Sequence, residues 1–431
     1  MIVKEVLVVE GYKRRIADSI LARKLQSSGA VLIEGPKWCG KTTTAEQMAK
    51  SVVYINDPSA NNLERADVNL GFLLEGETPH LLDEWQLIPE IWDAVRFEVD
   101  HRKNGFGQFI LTGSAVPLST DKILHTGTGR FSRLRMRPMS LYESEDSSGE
   151  VSLEALFRQE QIGGINRLDF ARLAFLLCRG GWPSSLALSD EASFDVVYNY
   201  VDSIITSDIS RADNVSRDRN RALRLLQAYA RAQSTQTTVE RICKDIAAND
   251  AEITRPTVCS YLSALRKIFV VEDVAAWNPN LRSKTAIQTS DTRYFVDPSI
   301  AIAALSTGPE ELMKAENLKL FGQLFETMCI RDLRIYAETI RGEIRHYRDR
   351  TGLECDAVLH KSSGEYALIE IKLGGGNAIE YGAENLNKLA AKIQKNGFSA
   401  PAFLMVLSGT ERYAYRRKDG IYVVPVGCLK N

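Results

Sequence analysis

One short run near the start of the chain restricts its fold more than any other feature. Gly35-Pro36-Lys37-Trp38-Cys39-Gly40-Lys41-Thr42 fits the pattern G-x-x-x-x-G-K-[ST]. At average residue frequencies, a chance match in a chain of this length is expected about one or two times in a hundred. The apolar run Ala30 to Ile33 reads as a buried strand before the loop, and Thr42 to Lys50 as a helix after it. A glycine loop between strand and helix turns backbone N–H groups and the positive end of the helix toward one point, the environment a pyrophosphate needs. Gly35, Pro36, Lys37, Trp38, Cys39, Gly40, Lys41, Thr42 and Thr43 are therefore the candidate nucleotide cradle. Lys41 would reach the β and γ phosphates of ATP, and the Thr42 hydroxyl would bind Mg²⁺.

A second element supports the first. His80-Leu81-Leu82-Asp83-Glu84 is a short apolar strand that ends in two adjacent carboxylates. Asp83 at its tip would hold Mg²⁺ directly or through water, and Glu84 would polarise the attacking water as general base. The next apolar strand, Phe109 to Thr112, runs into Gly113-Ser114, where a hydroxyl could sense the γ-phosphate. For Thr112 and Ser114, ordinary strand-end hydrogen bonding explains the residues equally well. Short apolar runs alternating with helical stretches as far as Leu141 indicate βα units on a mostly parallel sheet. A helix is expected over residues 12 to 27.

The 431 residues carry 54 basic and 55 acidic side chains, so no global field draws the chain to nucleic acid or an anionic membrane. Any polyanion site must be local. Seven scattered cysteines form neither a disulfide framework nor a zinc knuckle, and a reducing, cytoplasmic setting is expected. No apolar run approaches the roughly 18 residues of a membrane span. The fold class is α/β in four parts: residues 1–145 a P-loop domain, 146–230 a helical region, 231–280 a winged-helix module, and 281–431 a C-terminal α/β domain. The polar run Ser144 to Glu150 reads as a linker or exposed turn.

The phosphate loop, the Leu-Leu-Asp-Glu strand, Leu111-Thr112-Gly113-Ser114, Gly129-Arg130 and Arg137-Pro138-Met139-Ser140-Leu141-Tyr142-Glu143 resemble one family. They look like the AAA-type ATPases of bacteria and archaea that carry a C-terminal domain of unknown function with a restriction-endonuclease-like fold. Gly180-Gly181-Trp182-Pro183, Val296-Asp297-Pro298 and Phe325-Glu326 extend the resemblance over nearly the whole chain. It implies ATP binding and hydrolysis. It also implies that Arg130 is an arginine finger supplied to a neighbour's nucleotide, with a solvated loop arginine as the plain alternative. A homo-oligomer follows from the ATPase class. Arg133, Arg135 and Arg137 alternate, so a strand here would align three guanidinium groups, either as a phosphate-binding stripe or, more simply, as a solvated face.

Val239 to Ala247 and a second helix opening at Thr254-Arg255-Pro256-Thr257, followed by an extended segment from Phe269 to Val274, read as a winged helix. Its exposed set is thin in the residues that read base edges, so packing or protein contact is as good a reading as DNA binding. Arg211, Arg217, Arg219, Arg221 and Arg224 could contact phosphates, but Asp213 and Asp218 interrupt them.

The last region carries a second chemical set. Glu354 to Leu359 and Tyr366 to Lys372 read as paired strands, which puts Glu370 and Lys372 on one face with Asp356 across the hairpin. With Glu326 on a preceding helix, this is the arrangement of the restriction-endonuclease superfamily. Asp356 and Glu370 would hold Mg²⁺, or Mn²⁺ in its place, at a scissile phosphate of DNA or RNA, and Lys372 would steady the developing charge. The alternative is a nuclease-like fold used as an interaction platform, with Glu370 and Lys372 as an ion pair.

Overall fold

The computed structural model describes residues 11–102, 105–115, 126–248, 253–280 and 290–431. The chain divides into two compact units, the first made of Met1–Pro138, Asp208–Ser216 and Lys267–Phe269 and the second of the remainder.

The first unit is built on a five-stranded parallel sheet. Its strands are β1 (Ala30–Glu34), β2 (Ser51–Tyr54), β3 (His80–Asp83), β4 (Phe109–Gly113) and β5 (Phe131–Arg135), in the order β2-β3-β4-β1-β5. Every residue of β3 and β4 and all but the last of β1 are buried. That burial explains why these strands read as unbroken apolar runs rather than alternating ones. The helix expected over 12–27 forms at Ile16–Leu25 and buries Ile16, Ile20, Leu21 and Leu25. On another flank Trp92 stacks on Phe131 at 3.8 Å and meets Trp85 at 5.4 Å, tying the helix Ile91–His101 to β5. Parallel registers align Ala30 with Phe109 and Phe131, and His80 with Phe109. The carboxyl ends of β1, β3 and β4 therefore lie along one edge, the edge where open α/β sheets bind ligands.

The second unit contains a seven-stranded sheet: β7 (Gly164–Ile165), β12 (Tyr413–Arg416), β13 (Tyr422–Pro425), β11 (Phe403–Ser408), β10 (Tyr366–Lys372), β9 (Glu354–Lys361) and β8 (Gly342–Arg348), in that spatial order. Its centre is a helix (Leu318–Thr339), three antiparallel strands β8 to β10, a helix (Asn377–Lys395) and β11 parallel to β10. The hairpin expected at 354–372 is present, with Tyr366 opposite His360 and Ile369 opposite Ala357. Ile379, Ala383, Leu386, Leu389 and Ile393 of the second helix cover Leu368, Val406 and Val423.

Ser144 to Glu150 is not a free linker. Asp146 is gripped by Arg172 and Arg179 at 2.7 Å each, and the Ser147 hydroxyl donates to the Leu429 carbonyl at 2.8 Å. Just beyond it, β6 (Val151–Ser152) pairs with β14 (Leu429–Lys430). The run opens in a turn and exposes Glu145, Ser148 and Glu150, as an exposed turn should, while Asp146 and Ser147 anchor it to the unit.

The helices Val239–Ala247 and Arg255–Lys267 form as expected. The extended segment after them makes single bridges, Val271 to Phe295, Val274 to Thr292 and Ala276 to His346. Residues 249–252, where the turn between the two helices is expected, and the boundary at 281 lie outside the described residues.

A buried ion network joins the family-like punctuation. Arg331 pairs with Asp297 and with Asp332 at 2.7 Å each. Asp297 also accepts from the Gly181 N–H at 3.0 Å, and Asp332 from the Leu141 N–H at 3.0 Å. The Trp182 indole donates to Ser299 at 3.0 Å. Gly181 has to be glycine, because a Cβ there would lie 2.2 Å from the Met139 carbonyl oxygen. These motifs are therefore packing elements of the second unit.

Candidate functional site

The phosphate loop leaves β1 at Gly35, where a side chain would strike the Met136 carbonyl oxygen at 2.1 Å. Gly40, at φ +96°, makes the left-handed turn that starts the helix Lys41–Glu46, a conformation open mainly to glycine. That helix ends four residues short of the expected Lys50. Lys41 is buried, and its ammonium donates to the Pro36 carbonyl at 2.8 Å, inside the loop it serves. Arg15 braces the loop from behind, donating to the Cys39 carbonyl at 2.7 Å and the Arg137 carbonyl at 2.8 Å. Lys37 meets Asp208 at 2.6 Å, while Trp38 is 47% exposed. Thr43 follows in the first turn, and Cys39 is fully buried.

The acidic partner lies against this loop. Thr42 Oγ1 donates to Asp83 Oδ1 at 2.8 Å, and the Thr112 hydroxyl donates to the same oxygen. A hydroxyl and a carboxylate oxygen in contact, beside a buried lysine, fit the hard oxygen donors that Mg²⁺ takes next to a phosphate. Glu84 follows in the left-handed region at φ +59°. Its carboxylate accepts from the Gln86 side-chain amide and from Ser114 Oγ at 3.4 Å. The structure thus brings Lys41, Thr42, Asp83, Glu84, Thr112 and Ser114 to one sheet edge.

Arg130 is elsewhere. Its carbonyl accepts from the Ala30 N–H at 3.0 Å, at the amino end of β1, and its guanidinium pairs with Asp100 at 2.8 Å. Five residues of strand, about 16 Å, separate it from this chain's own loop. The three-arginine stripe is also revised. Only Arg133 and Arg135 lie on β5, flanking Glu34 at 2.8 Å and 3.9 Å, and Arg137 falls beyond the strand.

In the second unit Lys372 Nζ sits 2.5 Å from Glu370 Oε2 and 3.2 Å from Asp356 Oδ2. Asp356 Oδ2 also accepts from the Ile371 N–H at 2.7 Å, and Glu370 Oε1 from Asn385 at 2.7 Å. Glu326 accepts from the Tyr294 hydroxyl at 2.5 Å. Burial, then the nearby charge of Asp356, pushes Glu370 up to about 8 and Glu326 well above the ordinary carboxylate range. Burial opposes the charge on Lys372, but Asp356 and Glu370 outweigh it and hold the ammonium protonated. Among the described residues no group of three or more His, Cys, Asp and Glu side chains is arranged to hold a metal ion. As placed, Asp356 and Glu370 share the Lys372 ammonium.

Gln86, Arg15 and Asp208 were not anticipated as site residues. Gln86, two positions beyond Glu84, was open to inspection. Arg15 belongs to no motif, and Asp208 is 171 residues from its partner.

Strand, glycine loop, buried lysine and a hydroxyl on a carboxylate at the strand tips make up a P-loop nucleotide site. Residues 27–145 match the family model of the AAA domain. Residues 171–311 match a domain of unknown function, DUF8612, and residues 321–429 another, DUF4143. No curated protein matches the chain. Among solved structures, the chain is similar to a Walker-type ATPase of Pyrococcus abyssi at 13% identity and TM-score 0.43, covering 69% of this chain and 97% of that one. It is also similar to a RuvB variant of Thermotoga maritima at 14% identity and TM-score 0.28, covering 59% and 88%. The replication initiator DnaA bound to AMPPCP and single-stranded DNA follows at 13% identity and TM-score 0.29, covering 62% and 93%. Among the described residues no helix is long and apolar enough to cross a membrane.

Proposed function

We propose that this chain binds Mg²⁺–ATP at the Gly35–Thr43 loop, hydrolyses it, and uses the nucleotide state to control what its C-terminal domain binds. The observation that carries the reading is the convergence of Thr42 and Thr112 on one oxygen of Asp83, beside buried Lys41. Mg²⁺, when bound, supplies charge neutralisation at the phosphates. Lys41 and the loop N–H groups bind the phosphate oxygens, Thr42 and Asp83 form the cation's protein ligands, and Glu84 takes the proton of the attacking water. Arg130, on the far edge, would act on a neighbouring copy's nucleotide in a homo-oligomer. Lys41→Ala is expected to abolish ATP binding and turnover, while Glu84→Gln retains binding and loses turnover by about 100-fold or more. Unchanged turnover in Glu84→Gln would remove Glu84 as the base. For Arg130, an Arg130→Ala chain mixed with a Lys41→Ala chain should regain activity. No gain at any ratio counts against a shared site.

For the C-terminal domain, the helix–three strands–helix–strand order and the placement of Asp356, Glu370 and Lys372 support a restriction-endonuclease-like fold. The ion triad favours its use as a binding platform, for DNA, RNA or a protein partner, without cleavage. The cleavage reading is tested by incubating DNA and RNA with Mg²⁺ or Mn²⁺, with and without ATP, against a Lys372→Ala control. Reproducible cutting that disappears in the control would reinstate it.

A further inference from the structure

We propose that Gln86 is a positioning residue for the hydrolytic step, holding Glu84 through its amide, and that Gly113 is glycine in order to leave room for that amide. The proposal rests on the reading of Glu84 as general base. Glu84 adopts a left-handed backbone conformation that non-glycine residues rarely take, so its side chain leaves β3 in a direction that the strand alone would not give. The 3-10 turn Trp85–Leu87 follows at once and brings Gln86 back onto the Glu84 carboxylate.

The chemistry of the pair is unambiguous. A carboxylate only accepts, so the amide nitrogen must face it and the amide oxygen must face away. That oxygen is buried and, among the described residues, has no hydrogen-bond partner. Leaving a buried acceptor unpaired is unfavourable, and the arrangement holds because the donor end is committed to Glu84. The space the oxygen occupies belongs to the tip of β4. A Cβ on Gly113 would lie 2.7 Å from Gln86 Oε1 and 3.1 Å from Trp85 Nε1. Gly113 has no positive φ that would demand glycine, so close approach is the physical reason for its missing side chain. Ser114, the next residue, contacts the same Glu84 oxygen at 3.4 Å. The tips of β3 and β4 thus set one carboxylate from both sides.

The test is a double-mutant cycle on the full chain, reading kcat, KM and binding of a non-hydrolysable ATP analogue, with thermal melts to confirm folding. Gln86→Ala is expected to lower kcat about tenfold, the loss typical of removing a group that orients a site residue, with KM and analogue binding within about twofold. Gly113→Ala, which displaces the amide while leaving Gln86 in place, should give the same kcat loss. It should add little in the Gln86→Ala background, because both act through one contact. Gln86→Ala should likewise add little to Glu84→Gln. Wild-type kcat in Gln86→Ala, or full additivity of its loss with Glu84→Gln, would overturn the proposal. If Gly113→Ala alone is neutral, the spatial half of it fails. Wild-type turnover in Glu84→Gln would instead sink the base assignment beneath it.

Discussion

Two lysines beside carboxylates end in opposite electrostatic states. In the first unit, Lys41 donates to a backbone carbonyl, while the nearby Asp83 and Glu84 are occupied by hydroxyls and an amide. Its positive charge is not neutralised by an acid, so an arriving polyanion can use it. In the second unit, Lys372 is already shared between Glu370 and Asp356. Residue types that look equally competent in sequence thus give one site ready for an anion and one that is internally satisfied. Lys41 rests on a loop carbonyl that a phosphate can replace, whereas Lys372 is hydrogen-bonded directly to two acids of its own unit.

That contrast can be broken by exchanging readouts. The largest effect is expected for Lys41→Ala, with turnover falling by at least about 100-fold, as when a transition-state charge partner is removed. Its melting temperature should stay near wild type, and a strongly destabilised variant would mean that Lys41 is a packing residue like its counterpart. Lys372→Ala should behave in reverse. It leaves Glu370 and Asp356 without their cation, and a loss of roughly 3–5 kcal/mol in unfolding free energy is expected, with the ATP turnover of the folded protein unchanged. Equal stability of that variant would show that the triad contributes little.

A smaller effect separates the units by pH. His346, buried in the second unit, is pushed down to about 4, first by burial and then by Arg348. The folded state therefore binds fewer protons than the unfolded chain between about pH 6.5 and 4, so stability falls as the solution is acidified through that window. The contribution is on the order of 3 kcal/mol, and His346→Gln should flatten the pH dependence of the melting temperature across that range. The smallest effect is reserved for Arg133→Ala, whose exposed pair with Glu34 should change stability by less than about 1 kcal/mol. A larger loss would reopen a role for that arginine pair.

How much was legible can be followed residue by residue. Strands β1, β3 and β4 and the residues at their tips were readable, because burial on both faces produces apolar runs and a phosphate loop has few alternatives in sequence. The hairpin with Asp356, Glu370 and Lys372 was readable from strand alternation. The ion triad was not, since alternation tells which face a side chain shares but not whether a cation or an ammonium will lie between two carboxylates. Ser144 to Glu150 was readable as an exposed turn but not in its anchoring. Its polarity is answered by Arg172, Arg179 and the Leu429 carbonyl, partners that composition does not reveal.

By itself, the sequence determined the βα order of the first unit, the glycine and lysine that a phosphate needs, and the identity of the acids that follow. Those depend on neighbours along the chain, where local geometry is dictated by residue type. Tertiary structure alone decided the sheet order β2-β3-β4-β1-β5, the placing of Arg130 on the far edge, the burial of Arg331 between Asp297 and Asp332, and the neutralisation of Lys372. Each of these is set by contacts between distant segments, and charge is only available or cancelled once the chain has brought its partners within reach.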